Sequence, residues 1–342
     1  MPAYDALLFA SFGGPEGMDD VMPFLENVLR GRNVPRERML AVAAHYEHFG
    51  GKSPINAQNR ALIAALREEL DGEGLALPIY FGNRNWRPYL DEALREMAEA
   101  GVKRALAFVT SAFSSYSGCR QYLEDIARAR AAVGKRAPLV DKLRVFHNHP
   151  AFIGAMADRV REAFEHVPMA LRPEARLAFT AHSIPVAMAE GCAFVAQLDE
   201  ACRLVAEQAG RSSWRLVYQS RSGSPQQPWL GPDILDHLRA LREDGATDVV
   251  VAPIGFISDH LEVKYDLDYE GQRKAGEMGL RLVRAATVGT HPAFVRMIRE
   301  LVEERVVETA ERPTLGAFGP APDTCPEGCC PVGASRPALA RS

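Results

Sequence analysis

Short apolar runs rich in β-forming residues alternate along the chain with longer stretches in which apolar residues recur at helical spacing. In the first half, this pattern predicts strands over Ala6–Phe12, Pro78–Phe81, Ala105–Thr110 and Leu143–Phe146, and helices over Ala57–Leu70 and Tyr89–Ala98. In the second half, it predicts strands over Leu177–Thr180, Leu216–Gln219, Val249–Ile254 and Arg281–Ala286, and a helix over Asp233–Leu241. Such alternation is typical of parallel sheets covered by helices. We therefore predict an α/β fold with two Rossmann-like lobes.

The 342 residues are enough for two units of about 150 residues each, which is a typical domain size. We place the first lobe at 1–150 and the second at 151–311, with a boundary near His147–Pro150. The last segment, 312–342, is rich in Pro, Gly, Ala and Cys and has no amphipathic period. We expect an irregular tail that is ordered by packing on the main body.

Composition and charge exclude several kinds of partner. Hydrophobic residues make up 47% of the chain and charged residues 25%, and the formal net charge is -4, so nothing indicates binding to nucleic acid. The longest apolar runs have about ten residues or fewer, whereas a membrane span needs roughly 20. Met1–Asp5 lacks the basic start and apolar stretch of a signal peptide, so we expect a cytoplasmic protein.

Candidate chemistry follows the predicted strands, because ligands of open α/β sheets bind beyond the carboxyl ends of strands. Ser11–Pro15 contains paired glycines that permit a tight turn close to a ligand, although it lacks the GxGxxG pattern of a dinucleotide site. His182 follows a strand of the second half, and a neutral imidazole accepts protons near physiological pH. From position alone, the turn could equally be a plain β-to-α connection, and His182 a hydrogen-bonded structural histidine.

Three acids, Glu262, Asp266 and Glu270, recur every four residues after the predicted strand Val249–Ile254. On a helix this spacing lines the carboxylates up on one face, where like charges repel unless they bind a cation or share a proton. Two alternatives remain open. The acids could form a solvated surface, or Asp259 could cap the helix while Glu262 completes a capping box.

The order of several short motifs is more specific than any one of them. They are GGP at 13–15, GGKSPI at 50–55, IYFGNRNW at 79–86, AHSIP at 181–185, QSRSG at 219–223, WLGP at 229–232 and SDHLE at 258–262. With these motifs, the chain resembles the ferrochelatase family over nearly its whole length. The resemblance implies two Rossmann-like lobes around a deep porphyrin cleft. It also implies an enzyme that inserts ferrous iron into a free-base porphyrin during haem synthesis.

The resemblance assigns roles to residues of this sequence. His182 and Glu262 match the family's catalytic histidine and glutamate, which also meet the substrate iron, and Asp266 matches the next acid on the same helix. Metallation must remove two pyrrole protons and strip water from Fe²⁺; histidine accepts protons, and carboxylates are hard ligands for ferrous iron. The residues expected to contact the macrocycle or its propionates are Phe12, Arg30, Arg32, Tyr46, Ser53 and Tyr116. Some bacterial relatives carry a tyrosine at position 12 that could ligate product iron, which phenylalanine cannot do.

The segment after the first helix bears on the porphyrin. Relatives that use protoporphyrin IX often carry a long apolar lip there, whereas Asn33–Ala44 is short and contains Arg36, Glu37 and Arg38. This favours coproporphyrin III, whose four propionates need polar partners. The alternatives are a protoporphyrin IX ferrochelatase, a cobalt or nickel chelatase, and a non-catalytic protein that binds a tetrapyrrole or a metal. Haem-pathway enzymes that act before and after this step are expected as transient partners.

The cysteines do not indicate a disulfide framework in a chain of this size. Three are scattered and three crowd together near the end of the sequence: Cys119, Cys192 and Cys202, and then Cys325, Cys329 and Cys330. Four thiolates can hold zinc or an iron–sulfur cluster. The resemblance to cluster-bearing ferrochelatases implies a [2Fe–2S] cluster held by the three tail cysteines and Cys119, with Cys192 and Cys202 as ordinary buried thiols in helices. Free thiols in a disordered tail and a structural zinc site remain alternatives.

Overall fold

The computed structural model describes residues 4–31, 34–222, 226–307 and 311–333. Within these ranges the strands are β1 (Ala6–Ser11), β2 (Ile79–Asn83), β3 (Arg104–Val109), β4 (Leu139–Lys142), β5 (Arg176–His182), β6 (Arg215–Gln219), β7 (Asp248–Ala252) and β8 (Arg281–Arg284). They form two parallel sheets with the orders β2-β1-β3-β4 and β6-β5-β7-β8. The predicted α/β class is therefore confirmed.

One predicted strand is wrong, while the other seven each overlap an observed strand. The fourth strand of the first sheet is not Leu143–Phe146 but Leu139–Lys142, immediately before it. β4 pairs only with β3 and lies at the sheet edge, where one side stays open to solvent and fewer apolar residues are needed. Leu143–Phe146 is apolar for another reason: this segment is buried in the core after the chain has left the sheet.

Helices cover both faces of each sheet. They are α1 (Met18–Val28), α2 (Arg36–Glu47), α3 (Ile55–Gly72), α4 (Leu90–Glu99), α5 (Gln121–Val133), α6 (Pro150–Glu165), α7 (Val186–Ala189), α8 (Phe194–Gln208), α9 (Ile234–Glu243), α10 (Leu261–Val263), α11 (Gln272–Glu277) and α12 (Pro292–Val306). The chain is π-helical over Tyr116–Arg120 and Lys264–Gly271, and Met169–Leu171 forms a 3₁₀ turn. Throughout the described ranges, every helix is too short or too polar to span a lipid bilayer.

The two sheets share one hydrophobic core. Successive side chains of a strand point to opposite faces, so Leu7 and Phe9 of β1 face this core, whereas Ala6 and Leu8 face a separate one beneath α4 and α5. The shared core also contains Phe179 of β5, and apolar side chains of α3, α6, α8 and α12 fill it. Both faces of each sheet are therefore covered, as expected for parallel strands.

Helix α12 joins the C-terminal half of the chain to the first lobe. Arg299 on this helix forms an ion pair with Glu69 of α3 at 2.9 Å. Near its end, Arg305 donates a hydrogen bond to the Tyr4 hydroxyl at 2.8 Å. The domain boundary near residue 150 stays a prediction, because α12 follows that boundary in sequence but contacts residues that precede it.

The described part of the tail, 311–333, lies against the main body without regular secondary structure. The Ala317 amide donates a hydrogen bond to the Glu200 carboxylate of α8 at 2.6 Å, and the Leu315 amide donates to the Asn148 carbonyl at 2.9 Å. Backbone hydrogen bonds to buried groups therefore fix this irregular segment in place.

Candidate active site

His182 ends β5 at the carboxyl edge of the second sheet. Its Nδ1 is within hydrogen-bond distance of the Ser183 carbonyl oxygen. Because a carbonyl oxygen only accepts, Nδ1 carries the hydrogen and Nε2 is left as the acceptor. Nε2 lies 3.4 Å from Oε2 of Glu262, and a third of the histidine side chain, 34%, is exposed. The imidazole and the carboxylate can therefore hold one additional proton between them in an open site.

Glu262 enters the site at the start of α10. This short helix is capped by His260, whose Nδ1 accepts the Glu262 amide hydrogen at 3.1 Å. The alternative in which Asp259 caps the helix is wrong, because the Asp259 carboxylate pairs with Arg284 instead. Burial lowers the pKa of His260, which favours the neutral imidazole that capping requires. The Glu262 carboxylate itself is free to face His182 and solvent, with 47% of its side chain exposed.

Asp266 lies one turn further on, in the π-helical segment. Its carboxylate accepts a hydrogen bond from the Ser220 hydroxyl, and Nε2 of Gln219 lies 3.4 Å away. Burial, aided by the charge of Glu262, raises the pKa of Asp266 to about 7, and Glu270 acts in the same direction. Asp266 therefore takes up and releases a proton near neutral pH. The spacing of these acids suggested one face of an α-helix, but the helix is π-helical here, a form often found at functional sites.

A model of the family described as ferrochelatase matches residues 4–306 of the chain. The chain belongs to the ferrochelatase family. It is 56% identical over 341 residues to a ferrochelatase of Rhodopirellula baltica, covering 99% of this chain and 97% of the relative. It is 52% identical over 359 residues to a coproporphyrin III ferrochelatase of Streptomyces griseus, covering 98% and 96%, and 53% identical over 342 residues to one of Nocardia farcinica, covering 96% and 97%. The resemblance indicated by the motifs is thus confirmed, and the protein is a porphyrin metal chelatase.

Of two implied porphyrin contacts in the first lobe, Tyr46 lies near this ferrochelatase site and Phe12 lies just after β1. Tyr46 on α2 is buried, and the pKa of its hydroxyl is raised by that burial and, less strongly, by the charge of Glu262. Phe12, just after β1, is 38% exposed, and its ring lies 6.3 Å from the ring of Phe24. The Arg84 guanidinium lies 5.8 Å from the Phe12 ring on another side. Phe12 therefore offers an apolar surface that cannot bind iron.

The remaining implied contacts lie in different surroundings. Ser53 is buried beneath the GGP turn, where a Cβ on Gly14 would come within 2.7 Å of the serine Cβ. Arg30 is exposed just after α1. Tyr116 donates a hydrogen bond to a carboxylate of α5 at 3.0 Å. Arg32 lies outside the described residues. Tyr116 thus already has a hydrogen-bond partner within its own lobe, and Ser53 is enclosed by the turn above it.

Sequence reasoning missed a contact between rings of α2 and rings of the π-helical segment. His45 stacks on Tyr265, with ring centroids 3.6 Å apart and planes inclined by 7°. One turn further on, the rings of His48 and Tyr269 lie 3.9 Å apart. The first lobe therefore rests directly on the helix that carries Asp266. These residue types give no signal of the contact, because each ring pair joins distant parts of the chain.

The four cysteines implied as cluster ligands come to one region. Cys119 is buried in the first π-helical segment, and its thiol donates a hydrogen bond to Cys325 of the tail, which lowers the pKa of Cys325 to about 7. The sulfur atoms of Cys329 and Cys330 are 3.4 Å apart. Among the residues that the structure describes, no three His, Cys, Asp or Glu side chains are arranged to hold a metal ion. The thiols thus form a series of contacts, from Cys119 to Cys325, Cys325 to Cys329 and Cys329 to Cys330, rather than a preformed single-ion site.

Cys192 differs from the prediction. It was expected within a helix, but it lies half-buried in the loop between α7 and α8, where its thiol is 3.3 Å from the Met188 carbonyl oxygen. With Cys329 and Cys330 it lines a cavity of about 480 Å³ between the tail and the main body. Cys202 is fully buried within α8.

Proposed function

We propose that this protein inserts ferrous iron into coproporphyrin III and so forms iron coproporphyrin in haem synthesis. The observation that carries the proposal is the His182–Glu262 pair at the carboxyl edge of the second sheet, with Asp266 on the adjoining helix. Three relatives named coproporphyrin III ferrochelatase are 50–53% identical over at least 96% of this chain, which supports the choice of porphyrin.

In the proposed reaction, Fe²⁺ replaces two pyrrole N–H protons. Nε2 of His182 accepts a proton as the pyrrole nitrogen binds iron, and Glu262 receives it across the 3.4 Å separation. Because Nδ1–H is held by the Ser183 carbonyl, the imidazolium gives up the Nε2 proton and returns to its starting form. Asp266, with a pKa of about 7, accepts protons next and releases them to solvent. The second pyrrole proton leaves by the same route.

The same groups suit the arriving metal. Carboxylate oxygen and imidazole nitrogen are both ligands of Fe²⁺, so Glu262 and His182 can replace water on the ion as it approaches the ring. Nε2 of His182 then leaves the iron before it accepts the pyrrole proton. We assign the contacts to the macrocycle and its propionates to Phe12, Arg30, Arg32, Tyr46, Ser53 and Tyr116. Since phenylalanine stands at position 12, the product iron receives no phenolate ligand from this position.

Coproporphyrin III should give a kcat/KM at least about tenfold higher than protoporphyrin IX, because one charge-assisted hydrogen bond contributes about 1.5–3 kcal/mol. Coproporphyrin carries two more propionates, and Arg36, Glu37 and Arg38 at the start of α2 are exposed and charged. The test is a steady-state assay with Fe²⁺ under anaerobic conditions, with both porphyrins in the same detergent. A preference for protoporphyrin IX would overturn the proposed substrate.

The same assay separates the competing functions. A cobalt or nickel chelatase would metallate coproporphyrin faster with those ions than with Fe²⁺. A non-catalytic binding protein would bind the porphyrin, as seen by fluorescence quenching, without forming any metalloporphyrin. Iron insertion with multiple turnovers is the result that supports the proposal.

We also propose that Cys119, Cys325, Cys329 and Cys330 hold a [2Fe–2S] cluster that fixes the tail to the main body. Four cysteine thiolates are a ligand set of such clusters. The contacts that link Cys119, Cys325, Cys329 and Cys330 support this. The hydrogen bond from Cys119, aided by the charge of the buried Lys142, lowers the pKa of Cys325 to about 7 and so favours its thiolate form. The bound cluster would supply a covalent link between tail and body, and no step of the metallation passes through it.

Cys119→Ser should remove the reddish-brown colour of the purified protein and lower its thermal stability, because the tail loses its link to the body. The wild-type protein should contain about two irons and two acid-labile sulfides per chain. Absorption spectra, iron and sulfide analysis and thermal unfolding of anaerobically prepared protein provide the measurement.

The matched control is Cys202→Ala, which should keep the colour because Cys202 is buried within α8. Colourless or zinc-loaded wild-type protein would contradict the cluster and leave the chelatase activity unaffected.

A further inference from the structure

Arg284, on the edge strand β8, binds two carboxylates from the segment that carries the catalytic acids. Its terminal nitrogens reach both oxygens of Asp259 at 3.1 and 3.2 Å. Its Nε and one terminal nitrogen reach the two oxygens of Asp268, the latter at 3.2 Å. The side chains of Arg284 and Asp259 are each only 14% exposed. A planar guanidinium has the fork of donors needed to bind two carboxylates at once.

The two carboxylates lie on either side of the catalytic acids in sequence. Asp259 precedes Glu262 in the loop that enters α10, and Asp268 follows Asp266 in the π-helical segment. Residues two apart on a helix do not share a face, so Asp268 points away from Asp266 and toward β8. Arg284 therefore binds this segment both before and after the catalytic acids, at Asp259 and at Asp268. We infer that it does so from the side of the helix opposite Asp266.

Two further contacts complete the arrangement. Lys264 also pairs with Asp268, so two cations balance two carboxylates. The Asp259 amide donates a hydrogen bond to the Gln58 side chain of α3 at 2.8 Å, which ties the same loop to the first lobe. π-helical segments are rare and short, and contacts with neighbouring elements such as these help to hold this one in place.

We propose that Arg284 is a positioning residue for metallation, which sets the placement of Glu262 and Asp266 relative to His182 without touching porphyrin or iron. The inference rests on the proposed catalytic role of that group. A displacement of about 1 Å at a reacting group can lower a rate about 100-fold, so a restraint on the back of the helix affects turnover. The porphyrin contacts lie elsewhere, and binding of the porphyrin is therefore unaffected.

The test compares Arg284→Met and Arg284→Lys with a control on the same strand. Arg281→Met is the control, because Arg281 pairs with Asp248 and does not contact the catalytic segment. Arg284→Met should lower kcat for iron insertion at least about tenfold, while KM for the porphyrin stays within about twofold. Arg284→Lys keeps the positive charge but loses the planar set of donors that binds two carboxylates at once. Its kcat should lie between those of Arg284→Met and the wild type. Arg281→Met should match the wild type in both constants.

Thermal unfolding of each variant shows whether Arg284 positions the catalytic acids or only stabilises the fold. If Arg284→Met lowers the melting temperature but keeps the wild-type kcat at a temperature where it is folded, the inference is overturned. If this variant does not fold, Asp268→Asn can be used instead, because it removes one of the two ion pairs of Arg284. It should lower kcat in the same way, and a wild-type kcat there would equally overturn the inference.

A parallel Glu262→Gln variant distinguishes failure of the inference from failure of the proposed function. Normal turnover in Glu262→Gln would refute the catalytic role on which the inference rests. An inactive Glu262→Gln together with a fully active Arg284→Met would refute the positioning role alone.

Discussion

Replacing His182 with alanine should lower the turnover number for iron insertion at least about 100-fold, which is the scale of a lost general base. Nε2 of this histidine is the one ring nitrogen left as an acceptor, and it lies 3.4 Å from the carboxylate that would receive its proton. The fold and the binding of porphyrin should survive, because the side chain is partly exposed and ends its strand. Anaerobic turnover assays and porphyrin fluorescence titrations provide the two measurements.

His166→Ala is a suitable control, since His166 is an exposed histidine at the end of α6. It should retain wild-type turnover. Near-normal turnover of His182→Ala would show that another group removes the pyrrole protons.

Glu262→Gln should reduce turnover almost as severely, whereas Asp266→Asn should have a smaller effect. Glutamine keeps the shape of Glu262 but neither accepts the proton from His182 nor offers a charged oxygen to iron. Asp266 lies further along the proton route, held by Ser220, and water can replace it in part. If both acids were only solvated surface, the changes would alter stability by no more than about 0.5 kcal/mol and leave the rate intact.

Glu277→Gln on α11 is the matched control, because Glu277 is an exposed acid paired with Arg273 and Lys274. It should be silent in turnover. Equal losses in Glu277→Gln and Glu262→Gln would point to a general effect of acid removal rather than to the proposed route.

Sequence patterns predict both sheets except for one strand, β4, at the edge of the first sheet. A strand such as Val249–Ile254 is buried on both faces and therefore appears as a continuous apolar run. β4 contains Asp141 and Lys142 and is partly open to solvent. The apolar pattern therefore favoured the more apolar segment that follows it, and the strand was predicted there. Burial is visible in a sequence, whereas pairing with a neighbouring strand is not.

The candidate site was predictable in part for similar reasons. His182 is recognisable because a strand places it at the carboxyl edge, and Glu262 because the family motif includes it. The π-helical form of Lys264–Gly271 was not predictable, since α and π turns require the same kinds of residue at nearly the same spacing. Nor were the ion pairs of Arg284 with Asp259 and Asp268, because they depend on how β8 packs beside that helix.

The helix α12, which contacts both halves of the chain, limits how the porphyrin site can open. A hinge rotation of one lobe against the other would expose the apolar core that the two sheets share, at a large cost in free energy. By contrast, α1 and α2 pack on a separate small cluster that includes Phe24, Tyr46 and Leu261 of α10. Segments with small cores detach locally at much lower cost than a whole domain. We therefore expect porphyrin entry and product release to depend on local movement of α1 and α2, which would separate the rings of His45 and His48 from those of Tyr265 and Tyr269, while the two sheets keep their positions.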